Sequence, residues 1–392
     1  MQTELERVYE SLHAWCRARG YAGHDPFDAL NSRLFQAAPF LRHSSAARLV
    51  WTQIFKRSPV NLRTLARVPA GRNPKGTALF ALAALARFRE QGSAEAEAEA
   101  RTLLDDLLAV RVKSAAGAAW GYDFDWQSRT FFAPRGTPTL VPTAFAARAF
   151  VEAAEAFGDR QYADVASGVC EFILEGLPRS EEGAGEVCFS YIPLKQTRIF
   201  NASLLAGETL AAVGALTGSR ELCEWAVGAA RYVVRCQRAD GSWAYGAEWY
   251  QSWTDNFHTA FVLVSLSRII KSCGIVEGEF AHTLSRGYEF WRERFFLADG
   301  WPKYYHDNSY PADVHSAAAA IVALLELRDL DADAVSRART VARWAVDNLY
   351  DRRGFFYYQR RRFYTVRTPH MRWAQAWMLY ALARLLEVSG ER

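Results

Sequence analysis

Long apolar runs recur along the chain, each opened by a small or polar residue: "NPKGTALFALAALARF", "VPTAFAARAFVEAAEAFG", "FNASLLAGETLAAVGALTG", "NFHTAFVLVSLSRIIKSCG", "VHSAAAAIVALLELRD" and "RWAQAWMLYALARLLEVSG". With Gly76, Thr143, Asn201, His258, His315 and Trp373 as anchors, the spacings are 67, 58, 57, 57 and 58 residues. A near-constant period over most of a chain marks one repeated supersecondary unit. These Ala-rich runs are apolar all round, so they predict six helices buried on nearly every side.

Between them lies a second helix type, as in "SAEAEAEARTLLDDLLAV", "SRELCEWAVGAARYVVRCQ" and "DADAVSRARTVARWAVDNLY". Apolar residues fall at helical spacing there, with acids and arginines opposite, which predicts outer helices. A glycine and alternating aromatics follow each: "GAAWGYDFDW", "GEVCFSYIPL", "DGSWAYGAEW", "DGWPKYYHDN" and "RGFFYYQRRR". Period-two alternation after Gly predicts short strands or hairpins. The whole pattern predicts an all-α fold, one (α/α)6-type toroid over 1–392, with regular repeats in 91–392 and an irregular first hairpin and ring closure in 1–90. Every aromatic loop precedes an inner-helix amino terminus, so all five converge on one end and can line a cleft.

Composition narrows the class. Half of the 392 residues are apolar, enough for a large core. No uncharged apolar run reaches about 18 residues, and "MQTELERVYESLHAWCRARG" carries acids early, so neither a membrane span nor a signal peptide is expected and a cytoplasmic location is. Cys16, Cys170, Cys188, Cys223, Cys236 and Cys273 include no CxxC pair, which argues against structural zinc and a disulfide scaffold. Charge is nearly balanced at net +4 but unevenly placed. "KRSPVNLRTLARVPAGRNPK" holds six Lys or Arg and no acid, and "RRGFFYYQRRRFYTVRTPHMRW" has no acid after Asp351. If both segments reach the cleft, its potential is positive and its ligand anionic. Balanced net charge without a recognised binding fold argues against nucleic acid.

The layout resembles the α/α-toroid superfamily, which includes six-hairpin glycosidases, polysaccharide lyases, sugar 2-epimerases and terpenoid cyclases. "ARYVVRCQRADGSWAYG" also resembles the QW-type repeat of squalene cyclases and prenyltransferases in Gln237, Gly241 and Trp243. "WTDNFHTAFVL", "KYYHDNSYPADVHSAAAAI" and "HDPFDALNS" resemble bacterial proteins associated with surface-polysaccharide gene clusters, which implies a glycan setting.

Each chemistry of that superfamily needs particular residues. A class II terpene cyclase would need a DxDD-type cluster, and "YDFDWQ" offers Asp123 and Asp125 without a third acid. A prenyltransferase zinc site would need a Cys with Asp and His, which no loop supplies. Glycoside hydrolysis needs two carboxylates, available among Asp123, Asp125, Glu248, Asp255, Asp307 and Asp313. Lyase or C5-epimerase chemistry on a uronate needs a cation or amide to neutralise the carboxylate and a Tyr or His to take the C5 proton. The loops suit that demand best, so His258, His315 and Tyr305, with Asp255 and Asp313, are the expected catalytic set. Trp120, Tyr122, Asp123, Asp125, Trp126, Asn201, Trp243, Trp253, Asn256, Lys303, Tyr304, His306, Tyr358, Arg361, Tyr364, Arg372 and Trp373 are the expected contacts to an acidic oligo- or polysaccharide. No metal or cofactor is called for. Asp255 and Asp313 also suit helix caps, "DGSWAYG" suits a turn with packing aromatics, and "HDPFDALNS" suits a loop tying down the ring's seam. Hydrolysis by an Asp/Glu pair, a non-catalytic glycan-binding toroid and a terpenoid-cyclase-like protein are the alternatives.

Overall fold

The structure, a computed structural model, describes residues 2–113, 116–183, 185–275 and 278–390. Helix α1 (Gln2–Arg17) is followed by a non-repeating segment carrying α2 (Ser45–Arg57). Inner and outer helices then alternate: α3 (Pro74–Gln91), α4 (Ala94–Ala109), α5 (Leu140–Phe157), α6 (Arg160–Glu171), α7 (Phe200–Thr217), α8 (Arg220–Arg235), α9 (Asn256–Ser272), α10 (Glu279–Arg294), α11 (Val314–Glu326), α12 (Ala334–Leu349) and α13 (Trp377–Gly390). Inner α3 packs on α5, α5 on α7, α7 on α9, α9 on α11, α11 on α13, and α13 back on α3, closing the ring. Each of the inner helices α3 to α11 also packs on the outer helix that follows it, and α1 completes the set by covering α13. The fold is the all-α toroid that the repeat predicts.

Local chemistry starts and stops these helices. Asn73, Asp255 and Asp313 accept the backbone N–H of Lys75, His258 and His315 at the heads of α3, α9 and α11. Such caps satisfy first-turn donors that have no partner inside the helix. Gly92, Gly158 and Gly218, at φ 63°, 65° and 73°, end α3, α5 and α7 in a left-handed conformation that a side chain disfavours.

The aromatic loops form short antiparallel pairs at one end of the ring. The hairpin of Lys303–Tyr305 and Asn308–Asp313 joins Gln359–Arg360 and Thr365–Val366 of the next loop in a four-stranded sheet. One loop departs from the expected hairpin. Between Asp240 and Trp253 the chain forms turns, because Tyr245 N–H is shared by the carbonyls of Gln251 and Trp253 and Trp243 is drawn inward by a 2.9 Å bond to Val233 O. "HDPFDALNS" ties the seam: His24 O accepts from Met371 N at 2.8 Å, Asp25 pairs with Arg372, and Asp28 pairs with Arg63. All six cysteines are free. No helix among the described residues is long and apolar enough to cross a membrane.

Candidate active site

A cavity of about 670 Å³ opens at the loop end of the ring. All six inner helices reach it from their first turn or the residues just before: Lys75, Val141, Asn201, Asp255 with His258, His315, and Arg372 with Trp373. Arg372 and Trp373 are carried on a wide π-helical turn, Met371–Ala376, that precedes α13. Such turns recur at functional sites because they re-aim side chains.

Asp255 and His258 form a dyad. Asp255 Oδ1 accepts His258 N–H at 3.0 Å, and Oδ2 accepts from His258 Nδ1 at 2.7 Å and from Trp253 Nε1 at 3.1 Å. A carboxylate only accepts, so Nδ1 carries a ring proton, and in the neutral ring the lone pair sits on Nε2. Phe257 and Tyr245, with ring centroids 4.1 and 4.7 Å from the imidazole, hold it in place on the cavity wall.

The second Asp/His set is built differently. Asp313 lies off the cavity wall and accepts from His315 N–H, Trp373 Nε1 and Gln359 Nε2 at 2.8, 2.9 and 3.0 Å. Burial pushes its carboxyl up to about 6 despite these bonds. His315 instead stacks on Trp373 with centroids 4.2 Å apart. Burial above all, with the Arg372 charge assisting, holds its imidazole well below the usual histidine range, so it stays neutral.

Tyr122, Trp126, Asn201, Trp253, Tyr304, Tyr305, Arg361, Arg372 and Trp373 line this cavity with Asp255, His258 and His315. Other expected contacts lie elsewhere. The indole N–H of Trp120 and of Trp243 is spent on Leu107 O and Val233 O in the core. Asp123 accepts from Asn73 Nδ2 and lines a smaller cavity, about 170 Å³, on the other side of Arg372. Burial, helped by Asp25, raises its carboxyl to about 6. Asp125 accepts from Arg135 N–H, and Asn256 bridges Lys303 O and Trp291. Lys303 Nζ donates to His306 O, His306 packs on Phe290 and Phe295, Tyr358 is buried against His370, and Tyr364 donates to Arg57 O.

The cavity also takes Lys56, Arg57, Lys75, Arg129, Tyr191, Tyr245 and Gln359, which the sequence reading did not single out. The i, i+4, i+7 set Leu49, Gln53 and Lys56 on α2 was a visible helical stripe, but only the crossing of α2 over the barrel end turns it inward. Both basic segments therefore reach the site. The wall carries six Lys or Arg side chains against one carboxylate, Asp255. Arg372 is neutralised by Asp25 through bonds of 2.6 and 2.8 Å. Asn201 Oδ1, His315 Nδ1, Gln359 Oε1 and Arg361 Nε are buried without a partner among the described residues. Unsatisfied polar atoms around a cavity are what a polar ligand would meet. Among the described residues no group of three or more His, Cys, Asp or Glu could hold a metal ion.

A closed ring of six helical hairpins, with its cavity at the inner-helix amino termini, is an α/α toroid. Solved structures carry the same fold. Cellobiose 2-epimerase from Bacillus thermoamylovorans superposes with a TM-score of 0.62 at 13% identity, over 82% of this chain and 88% of that one. A D-mannose isomerase gives 0.61 at 13%, over 81% and 88%. An unsaturated glucuronyl hydrolase specific for heparin gives 0.58 at 15%, over 82% and 88%. No family model matches the sequence, and no curated protein matches it.

Proposed function

We infer that this chain is a carbohydrate-active enzyme that removes a proton from carbon in an acidic sugar, as epimerases and lyases do, with His258 as the base. The Asp255–His258 dyad carries this reading, since it fixes a free imidazole nitrogen on the wall of a cationic cavity. The similar folds of a sugar epimerase, a sugar isomerase and a glucuronyl hydrolase support a sugar as ligand.

In this reading the substrate is a uronate whose carboxylate meets Lys56, Arg129 or Arg361, with C5–H toward His258 Nε2. Negative charge flows from C5 into the carboxylate as the proton leaves, and fixed cations stabilise it most in the transition state. Burial and the Asp255 charge keep Tyr305 protonated, so it serves as a proton donor and not as the base. Neutral His315 is a hydrogen-bond partner for a sugar oxygen. Hydrolysis fits less well, because it needs two carboxylates at the bond and among the described residues the wall carries only Asp255, which is committed to His258. A uronate oligosaccharide incubated in deuterated water tests the proposal. Deuterium at C5, or an unsaturated product absorbing in the ultraviolet, is expected; new reducing ends with neither would establish hydrolysis instead.

A further inference from the structure

Positive charge in this chain is almost entirely arginine. Of 47 Lys and Arg residues only six are lysines, and two of the six, Lys56 and Lys75, line the cavity. An arginine serves for charge alone, whereas a lysine can lose its proton and become a nucleophile. Lys195, Lys271 and Lys303 each donate to an oxygen of the protein. The Lys75 side-chain amine has no hydrogen bond or ion pair among the described residues, and the residue is 3% exposed. Its Nζ lies 4.3, 5.3 and 5.1 Å from the ring centroids of Phe145, Phe261 and Trp377. Two of these rings also flank His315, at 6.0 and 4.8 Å, so amine and imidazole share one pocket.

We propose that Lys75 is an amine nucleophile that captures the carbonyl carbon of an open-chain sugar as an imine. Burial, together with the Arg372 and Arg148 charges, holds the amine well below the ordinary lysine range, which leaves its lone pair free. The lone pair adds to the carbonyl carbon, and the carbonyl oxygen departs as water. In the neutral imine that water takes both amine protons; in the iminium form it takes one, and the second comes from solvent. An iminium in this position faces three aromatic rings, which stabilise a cation. It also draws electrons from the neighbouring carbon, whose proton His258 Nε2 would then remove. This last use keeps His258 as the base of the proton-abstraction reading but at C2 in place of C5, whereas formation of the imine does not rest on that reading. The substrate class is an aldose or ketose with a free carbonyl, and an acidic one suits the cationic wall.

D-Glucuronate, an acid with a reducing aldehyde, is a direct probe. The intact protein is incubated with it and cyanoborohydride at neutral pH, and peptides are read by mass spectrometry. Lys75 is expected to gain the mass of the sugar less one oxygen at least about tenfold faster than exposed Lys195 and Lys271, since only roughly one ordinary lysine in a thousand is unprotonated at that pH. Lys75→Arg is expected to keep the fold, by circular dichroism, and to lose the adduct at that position. An unmodified Lys75, or one modified no faster than the exposed lysines, overturns the proposal. The same incubation in deuterated water separates the two readings. Trapping without deuterium at C2 retains the imine and removes His258 as a base beside it; deuterium exchange without trapping retains the base and removes the imine.

Discussion

An imidazole acts as a base when one nitrogen is committed as a donor, and that commitment distinguishes His258 from His315 in this molecule. Asp255 reaches the ring of His258, whereas Asp313 spends its oxygens on Trp373, Gln359 and a backbone N–H. Asp255→Asn keeps a cap on α9 but replaces the ionised acceptor with a neutral amide, so turnover of an acidic sugar should fall about 10²- to 10⁴-fold while KM changes much less. Steady-state kinetics check this, and a parallel rise in KM would recast Asp255 as a binding group. Lys56 offers a second test at this scale. Burial beside Phe27 and Trp373 lowers its ammonium to about 8 from the ordinary 10.5, with Asp313 opposing and Arg57 and Arg361 assisting. The cation is present at pH 7 and lost as pH rises through about 8. Affinity for an acidic disaccharide should therefore drop about tenfold between pH 7 and 9, given that a hydrogen bond to a charged group contributes about 1.5–3 kcal/mol. Lys56→Arg should flatten that profile in calorimetric titrations. The same shift makes this group's contribution to stability rise with pH between about 8 and 10.5, where the unfolded chain alone holds the proton.

Elements were the most legible level. Six apolar runs and their amphipathic partners became six inner and six outer helices, because a helix that is apolar all round has nowhere to go but the inside. The loops were half legible. Alternating aromatics identified short strands, yet period-two alternation says only that neighbours face opposite sides, and not which side is the cavity. Trp120 and Trp243 went to the core while Trp126 and Trp253 went to the wall. Gly218 and Gly241 give a prediction here. Both have positive φ, at 73° and 88°. A Cβ at Gly218 would meet nothing within 4 Å, so Gly218→Ala should cost only its left-handed backbone, about 1–2 kcal/mol. At Gly241 it would lie 2.7 Å from Arg286 O, so Gly241→Ala should cost more. Denaturant unfolding of the two variants compares them; equal costs would mean that the Asp240 turn yields freely.

At the scale of the whole molecule, ring closure turns scattered charge into a site. Lys56 and Arg361 are far apart in sequence but share one cavity wall. Lys56, Arg57, Arg129 and Arg361, the cations of the wall that no carboxylate neutralises among the described residues, focus positive potential in a low-dielectric cavity, so acidic oligosaccharides should bind more weakly as salt is raised, and neutral analogues should bind poorly throughout. Calorimetry at roughly 0.05 and 0.5 M salt measures this, and equal affinity for a neutral analogue would refute it. By itself the sequence determined the repeat, the all-α class, the convergence of the loops and the aromatic character of their end, since periodicity and helix polarity are local properties. Tertiary structure alone decided that α2 crosses the mouth, that Asp25 reaches Arg372 across the seam, that Asp313 turns from its histidine, and that Lys75 lies unpaired among three rings. Those are contacts between residues distant in the chain, and which face of a strand or which side chain fills a gap is settled only when the packed elements compete for the same space.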